Sequence, residues 1–590
     1  MFKKILIANR GEIAVRVIRA CRELGVATLA VYSDADRGAA HVAAADESYR
    51  IGPAPAAQSY LDVDALLAIA ARAECDAVHP GYGFLAENAA FARRCEKAAL
   101  SFIGPSPDAI DTMGNKIAAR TAAHAAGVPV VPGTIEPIKG PDSVRDWAEH
   151  VGYPIAIKAA AGGGGKGLKV ARTPEEVDAA VSIAAKEAAA YFKDDTLYVE
   201  RYLERPKHVE VQVLGDKHGH IVHLGERDCS MQRRHQKLVE ETPARILPTV
   251  RSRLLAAAVK LCESIGYDSA GTIECLVEGD EFYFLEMNTR IQVEHTITEM
   301  TYGFDLVKAQ IRIAAGEQLW MSQGQLSARG HAIEVRVNAE SPANDFRPCA
   351  GTLVRYAEPG GPGVRVDSAA FAGWSIPQEY DSLLAKLVVW GQDRDEARAR
   401  LRRALAEFCV EGVDTTIPFF RLLIEDDEFR RGDYATPTVE RFVREQRDAL
   451  VAAYEPSEAA SFSSPDQPTA AAPPEEIAVE VNDKHFLVKV YGLGQRSASE
   501  PTSAARPAAR FKSPKKIASD AARVVAPMHG LIAEVKVAPG DSVADGQVVA
   551  VVEAMKMMNE VVAQRAGTVS SVDVKPGDTV EIGASVISFA

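Results

Sequence analysis

The chain has 590 residues, 25% charged and 47% apolar, with a formal net charge of −14. This is too long for one domain and has the profile of a globular protein of about three to five domains, while the acidic balance argues against nonspecific nucleic-acid binding. No run of 18 apolar residues occurs, so no membrane span is expected, and the eight cysteines form no CxxC pair, so neither a zinc site nor a disulfide framework is indicated.

The start, Met1 to Ala8, is apolar, but Asn9, Arg10 and Glu12 interrupt it too early for a signal peptide. It reads as the buried first strand of a cytoplasmic protein. Ile5 to Ala8, a helix from about Gly11 to Leu24, and Ala27 to Tyr32 form a βαβ unit. The turn Asn9-Arg10-Gly11-Glu12 lacks a full GxGxxG, so a structural Rossmann-like layer is expected there rather than a nucleotide site. Apolar β-type runs and amphipathic helical stretches alternate to about residue 450.

An apolar strand, Pro154 to Ile157, leads into Lys158-Ala-Ala-Ala-Gly162-Gly163-Gly164-Gly165-Lys166-Gly167. Consecutive glycines let backbone N–H groups turn toward phosphate oxygens and give a lid its hinge freedom. The GxxxxGK[ST] pattern fails, because Gly167 follows Lys166. Further on, Glu274 and Glu286 flank a turn containing Asp280, on consecutive strands of a hairpin. Their even separation does not by itself place them on one face, but cross-strand pairing can bring the carboxylates together. With Asn288 they offer a hard oxygen site suited to Mg²⁺ or Mn²⁺. The run Asn288-Thr-Arg290-Ile-Gln292-Val293-Glu294-His295 adds an arginine fork for a planar oxyanion and a carboxylate able to take a proton.

The composition changes near Pro456. Residues 456–475 are rich in Pro, Ala and Ser, as a linker is. Ile477, Val479 and Val481 alternate, Asn482-Asp483 marks a turn, and Phe486, Val488 and Val490 alternate again, predicting a hairpin that needs a neighbour or partner to pack on. A second linker, about 495–520, spans on the order of 30 Å as a coil. In the last 69 residues Ala526, Gly530, Val535, Pro539-Gly540-Asp541, Val543 and Gly546 recur 37 positions later as Ala563, Gly567, Val572, Pro576-Gly577-Asp578, Val580 and Gly583. Two similar β-halves are expected. At their junction stands Ala554-Met555-Lys556-Met557, which places a lysine between methionines on an exposed hairpin tip, an arrangement that suits recognition or docking.

Residues 522–590 resemble the biotinyl domain of biotin-dependent enzymes, whose AMKM signature is intact at 554–557. The resemblance implies that Lys556 carries biotin. Ile7–Ala14, His79–Asn88, Arg227–Lys237 and Glu286–His295 resemble biotin carboxylase of the ATP-grasp superfamily, over about 1–445. Together these imply an α/β multidomain chain. Its parts are an N-terminal subdomain (1–115), an ATP-grasp domain (116–330) with a mobile lid near 130–205, and a C-terminal subdomain (331–445). Linkers with a short hairpin (446–521) and the all-β biotinyl (biotin carboxyl carrier) domain (522–590) follow.

The same resemblance implies the site residues. Lys116 and Lys158 contact ATP phosphates, with the 162–167 loop closing over them. Glu200, Arg201, Tyr202, Leu203 and His208 hold adenine and ribose, and Gln232 and His235 line the nucleotide site. Glu274, Glu286 and Asn288 bind metal. Lys237, Arg290, Gln292 and Val293 position bicarbonate, Glu294 is the base, and Arg336 stabilises the biotin enolate. Thr415-Thr416 stands where the family often has Thr-Asn, outside the chemistry.

The implied reaction is ATP- and bicarbonate-dependent carboxylation of biotin through carboxyphosphate. The chain has no further stretch of several hundred residues for a carboxyltransferase, so the expectation is the α subunit of an acyl-CoA carboxylase of actinobacterial acetyl- or propionyl-CoA type. Its implied partners are biotin protein ligase, a separate carboxyltransferase β subunit, and further copies of this chain within a large α–β complex. The segment 446–521 is short and linker-rich where α subunits of mitochondrial-type propionyl-CoA carboxylase have a larger β-barrel for docking, which leaves the docking mode and the acyl-CoA open. The rival readings are the α component of a pyruvate or urea carboxylating system, and a biotin carrier whose ATP-grasp part only scaffolds.

Overall fold

The computed structural model describes residues 1–134, 137–138, 140–159, 168–192, 196–455, 475–481, 484–490, 523–528, 530–554, 557–581 and 583–590. The N-terminal βαβ pattern folds as five parallel strands, ordered Glu47–Gly52, Ala27–Ser33, Lys4–Ile7, Ala77–His79 and Ser101–Phe102. Ile5, Leu6 and Ile7 are fully buried, as a strand covered on both faces requires. The turn after Lys4–Ile7 has a positioning role. Asn9 Nδ2 donates to the carbonyls of Pro80 (2.6 Å) and Tyr82 (2.8 Å), tying the start of helix Gly11–Glu23 to the loop after Ala77–His79.

Between residues 130 and 205 lies a lobe with a core of its own. Strands Leu168–Ala171, Ile155–Ala159 and Leu197–Arg201 form an antiparallel sheet, covered by helices Pro141–Val151 and Val177–Phe192. Val144, Ile155, Ile157, Val177 and Val199 pack within this lobe. The glycine run 162–167 lies outside the described residues.

The centre of the molecule is an eight-stranded antiparallel sheet. Its order is Glu281–Asn288, Ser269–Glu278, Lys207–Gly215, Ile221–Arg233, Gln236–Thr242, His331–Asn338, Leu383–Gly391 and Val364–Ser368. One face buries Val209, Val211 and Ile273 against helix Pro248–Ser264, through its Val250, Leu254 and Leu261. The other face is polar, and the site described below is built on it. Helix Arg447–Tyr454 adds Leu450 to the core around Val335, Leu387 and Phe419, so packed structure continues past residue 445. No helix among the described residues is long and apolar enough to cross a membrane.

Strands Glu475–Val481 and Lys484–Val490 pair as an antiparallel hairpin, Val481 opposite Lys484. Beyond 522 two four-stranded sheets enclose a core of Val524, Ile532, Val552, Val569 and Ile587. The repeat legible in the sequence is structural. Ala538 N–H binds Asp541 Oδ2 at 2.8 Å, and Lys575 N–H binds Asp578 Oδ2 at 3.0 Å, while Gly540 (φ +95°) and Gly577 (φ +93°) make the same turn. Strands Val548–Ala554 and Met557–Val562 pair so that Ala554 faces Met557. Met555 and Lys556, which join them, lie outside the described residues.

Candidate active site

The polar face of the central sheet follows from register. Glu286 pairs with Glu274, Glu274 with Glu210, and Glu210 with Arg227. Directly opposed residues point to the same side of a sheet, so four charged side chains line up across four strands. A register irregularity brings Glu286 opposite Glu274: Cys275 pairs with Phe284, and the extra residue Leu285 shifts the partner strand by one. The two carboxylates of the hairpin therefore meet across the strands. Sequence spacing alone leaves that point open.

Glu294 sits at the head of helix His295–Tyr302 and is buried. Lys237 Nζ donates to its Oε1 at 2.7 Å, and Arg336 Nη2 donates to its Oε2 at 3.0 Å. Lys237 also reaches Glu210 (2.6 Å) and Glu274 (2.9 Å). Burial favours the neutral form of each group, but the mutual charges outweigh it. Lys237 is held well above the usual lysine range by Glu210, Glu294 and Glu274, and Glu294 well below the carboxylate range by Lys237, Arg336 and Arg227. Both are ionised at neutral pH. Burial likewise opposes ionisation of Glu274, yet Lys237 and His208 hold its carboxyl low. An ionised, buried carboxylate beside an ammonium and a guanidinium can take a proton from a small acid that the same cations bind, because their charge lowers that acid's own pKa and then holds the resulting anion.

Arg227 ties the cluster together. It is fully buried and donates to Glu210, Gln212 (2.7 Å), Thr298 (3.0 Å), Thr272 (3.2 Å) and Gln292 (3.0 Å). Gln292 in turn donates to Glu274 Oε1 at 2.7 Å. Arg336 is backed by buried Glu240, which accepts from its Nε at 2.7 Å. Neither Glu210 nor Glu240 is expected from the sequence, where Arg227 only opens one of the recognised segments. A signal for Glu210 is present: His208, Glu210 and Gln212 alternate within an apolar strand, which puts three polar side chains on one face.

The remaining expected residues fall around this cluster. His208 Nε2 lies 2.8 Å from Glu274 Oε2. Glu286 keeps a solvent-exposed side, while desolvation of its carboxyl against the protein and the charge of Glu274 raise it, and Lys116, at the start of helix Lys116–Ala125, opposes the rise. Asn288 Nδ2 donates to Glu274 Oε1 at 2.9 Å. Glu274, Glu286 and the Asn288 amide form an all-oxygen donor set that fits Mg²⁺ or Mn²⁺. Arg290 donates to Glu87 (2.9 Å), the Asn288 amide oxygen (2.7 Å) and the Ile291 carbonyl (3.2 Å). It lines a cavity of about 220 Å³ with Val293, Glu12, Tyr82 and Asp381. Lys158, on the 130–205 lobe, pairs with Glu200 across its sheet. Arg201 Nη1 donates to Tyr283 OH at 3.1 Å, Tyr202 N–H binds Pro154 O, and Leu203 packs on Val131 and Tyr283. Gln232 pairs with Lys237, and His235 stands exposed at the two-residue hairpin tip, where Arg234 (φ +48°) and His235 (φ +67°) make the left-handed turn that matches strand twist. The structure thus gathers Lys237, Gln292, Glu294, Arg336, Glu274 and His208 into one network. Gly162 to Gly167, and Lys166 among them, lie outside the described residues.

Most of the chain's length matches known families. Residues 1–110 match the biotin carboxylase N-terminal domain, 115–322 the ATP-binding domain of the carbamoyl-phosphate synthase L chain, 334–441 the biotin carboxylase C-terminal domain, and 522–589 the biotin-requiring enzyme domain. Biotin carboxylase 1 of Bacillus subtilis is 52% identical over 445 residues, which is 75% of this chain and 99% of that protein. A pyruvate carboxylase subunit of Methanothermobacter thermautotrophicus is 51% identical over 445 residues, 75% of this chain and 91% of that one. Among solved structures, the bicarbonate-bound biotin carboxylase domain of a thermophilic 2-oxoglutarate carboxylase is 45% identical with a TM-score of 0.72, over 76% of this chain and 99% of its own. The Campylobacter jejuni biotin carboxylase complex with a β,γ-ATP ligand is 44% identical with a TM-score of 0.69, over 75% of this chain and 99% of its own. With relatives half identical over nearly their whole length, and the polar face of the central sheet carrying a buried carboxylate between two cations, the chain belongs to the biotin carboxylase family of ATP-dependent ligases and carries a biotin-requiring domain at residues 522–589.

Proposed function

We propose that this chain carboxylates biotin attached to its own Lys556, using ATP, bicarbonate and Mg²⁺ or Mn²⁺. We further propose that it passes the carboxyl group to a separate carboxyltransferase that acts on a short-chain acyl-CoA. The observation that carries the first half is the Glu294 carboxylate, buried and ionised between Lys237 and Arg336. Glu294 takes the bicarbonate proton. The freed oxyanion attacks the γ-phosphorus of ATP, the bond to the β-phosphate oxygen breaks, and ADP leaves carboxyphosphate in the site. Lys237 balances the charge gathered there, with Arg290 and the 292–293 stretch positioning the bicarbonate oxygens. Carboxyphosphate divides into CO₂ and phosphate, the latter able to take up the proton released when the carboxyl group is transferred.

Biotin supplies the ring nitrogen that accepts the carboxyl group, and Arg336 stabilises the negative charge that develops on the adjoining ureido oxygen. Glu274, Glu286 and Asn288 would hold the divalent cation, which neutralises phosphate charge. Lys116 and Lys158 meet the phosphates, Glu200 to Leu203, His208, Gln232 and His235 line the nucleotide site, and the lid lobe with its 162–167 loop excludes water. The biotinyl domain is the mobile carrier, loaded by biotin protein ligase.

The acyl-CoA half rests on the fused arrangement of catalytic and biotinyl parts. A 2-oxo acid acceptor is the second reading, favoured by the likeness to the Methanothermobacter pyruvate carboxylase subunit, on the one hand, and to the 2-oxoglutarate carboxylase domain on the other. The carboxylating part is similar in proteins with different acceptors, so the acceptor is a property of the partner. Fixation of ¹⁴C-bicarbonate into acetyl-CoA, propionyl-CoA, pyruvate and 2-oxoglutarate, with and without the co-purified partner, tests this. The expected result is acyl-CoA labelling that requires the partner. Labelling of a 2-oxo acid alone would select the second reading, and robust acyl-CoA labelling by this chain alone would overturn the division of labour between two proteins.

A further inference from the structure

A lysine with no accessible surface lies one layer behind the site. Lys386, in the middle of strand Leu383–Gly391, is 0% exposed. It pairs directly with Arg336 on the neighbouring strand, so both side chains leave the same face of the sheet. An ammonium held out of water is costly unless its donors find charged or carbonyl partners. Lys386 finds two close ones on different parts of the molecule. Its Nζ donates to the Val293 carbonyl at 3.0 Å and lies 3.1 Å from Glu12 Oε1, at the head of the N-terminal helix Gly11–Glu23. Asp367, on the edge strand, stands 3.9 Å away. Glu12 Oε1 also accepts from Tyr82 OH, and Glu12, Tyr82, Val293 and Arg290 share the walls of one cavity.

The Val293 carbonyl is the oxygen of the peptide unit whose N–H belongs to Glu294. A hydrogen bond to it fixes the plane of that peptide, and with it the point from which the Glu294 side chain departs. We infer that Lys386 is a positioning residue for the reaction: by tethering the Val293–Glu294 peptide and Glu12 from the strand beside Arg336, it sets the bicarbonate side of the site against the N-terminal layer. This rests on the reading that Val293 and Glu294 handle bicarbonate. Lys386 itself touches no reacting atom. Its effect passes through a carbonyl and a carboxylate.

The test compares the full chain with its Lys386→Met, Lys386→Arg and Glu12→Gln/Lys386→Met variants. The double variant removes both buried charges, so it keeps the test open if the single one fails to fold. ADP release is followed against bicarbonate at saturating MgATP and free biotin, and hydrogen–deuterium exchange is followed over residues 291–298. Loss of a charge-assisted hydrogen bond predicts a bicarbonate KM raised about tenfold or more, with the ATP KM within about twofold of the parent, partial recovery by Lys386→Arg, and faster exchange in the 291–298 segment. A folded variant with bicarbonate KM and exchange both unchanged would overturn the inference. So would a loss spread equally over the ATP and bicarbonate constants with exchange unaltered. Absence of bicarbonate-dependent ADP release in the parent chain would instead sink the functional reading, and the exchange result would still decide whether Lys386 holds the peptide.

Discussion

Replacing Glu294 by glutamine removes one charge and almost no volume. In the parent, four carboxylates (Glu210, Glu240, Glu274, Glu294) face three cations (Arg227, Lys237, Arg336) within one buried network. The variant takes one carboxylate out of a crowded network and relieves Glu240, whose carboxyl burial and the charge of Glu294 push up to about 7, so the fold is retained. Catalysis is a different matter. The amide cannot take a proton from bicarbonate, and its NH₂ meets either Lys237 Nζ or Arg336 Nη2, since those donors approach the two oxygens of Glu294 at 2.7 and 3.0 Å. Loss of a positioned general base costs about 10²- to 10⁴-fold in rate, or roughly 3–5 kcal/mol of barrier. The assay is bicarbonate-dependent ADP release with free biotin, which bypasses the carrier domain, measured from pH 6 to 9. Higher pH does not rescue the variant, because the missing group is ionised in the parent throughout that range. A rate within about tenfold of the parent at any pH would remove Glu294 from the role of base.

Glu286→Gln, at an exposed strand position, is expected to fold normally and to lose most Mg²⁺-dependent ATP cleavage; full activity at the same Mg²⁺ concentration would take it out of the metal site. Arg227→Met strips five buried hydrogen-bonding partners of their donor and leaves Glu210 with Lys237 alone, a loss of about 3–5 kcal/mol measurable as a lowered urea midpoint; a shift below about 1 kcal/mol contradicts the hub role. Away from the site, burial opposes ionisation of Glu241, but His331, Arg394 and Tyr434 hold its carboxyl down to about 2. A depressed folded value stabilises the protein above the unfolded carboxylate value, and this contribution of roughly 3 kcal/mol is lost as pH falls from about 4.5 toward 2. Glu241→Gln should abolish that part of the acid dependence, and unfolding curves compared between pH 5 and 3 check it.

Much of the site is legible because its chemistry is dense in sequence. Asn288 to Glu294 puts an amide, a guanidinium, a second amide and a carboxylate into seven residues, and the 37-residue repeat around Lys556 announces paired β-halves. The residues that sequence reasoning misses share one property: each is a charged group whose meaning lies in strand register. Glu210 becomes part of the site because it pairs with Glu274 on one side and Arg227 on the other. Glu240 matters because it lies next to Arg336, and Lys386 because it opposes Arg336. None of these partners is near in sequence, so no local pattern marks them. The Glu274–Glu286 pairing also depends on a one-residue irregularity at Leu285 that the spacing does not disclose. Arg290 shows a further limit. The sequence marks it as an arginine fork for an oxyanion, but not that Glu87, far away in the chain, takes one of its donors beside the cavity wall.

If one chain both activates bicarbonate and carries the biotin that receives it, label should pass from ¹⁴C-bicarbonate to the biotinylated chain with ATP and Mg²⁺ and no other protein present. ATP-dependent, acid-labile label is expected on the parent chain and none on Lys556→Arg or Glu294→Gln. Of these two variants, Lys556→Arg alone should retain ATP cleavage with free biotin. Label on Lys556→Arg, or an unlabelled parent that is fully biotinylated, would contradict the assignment of both roles to this chain.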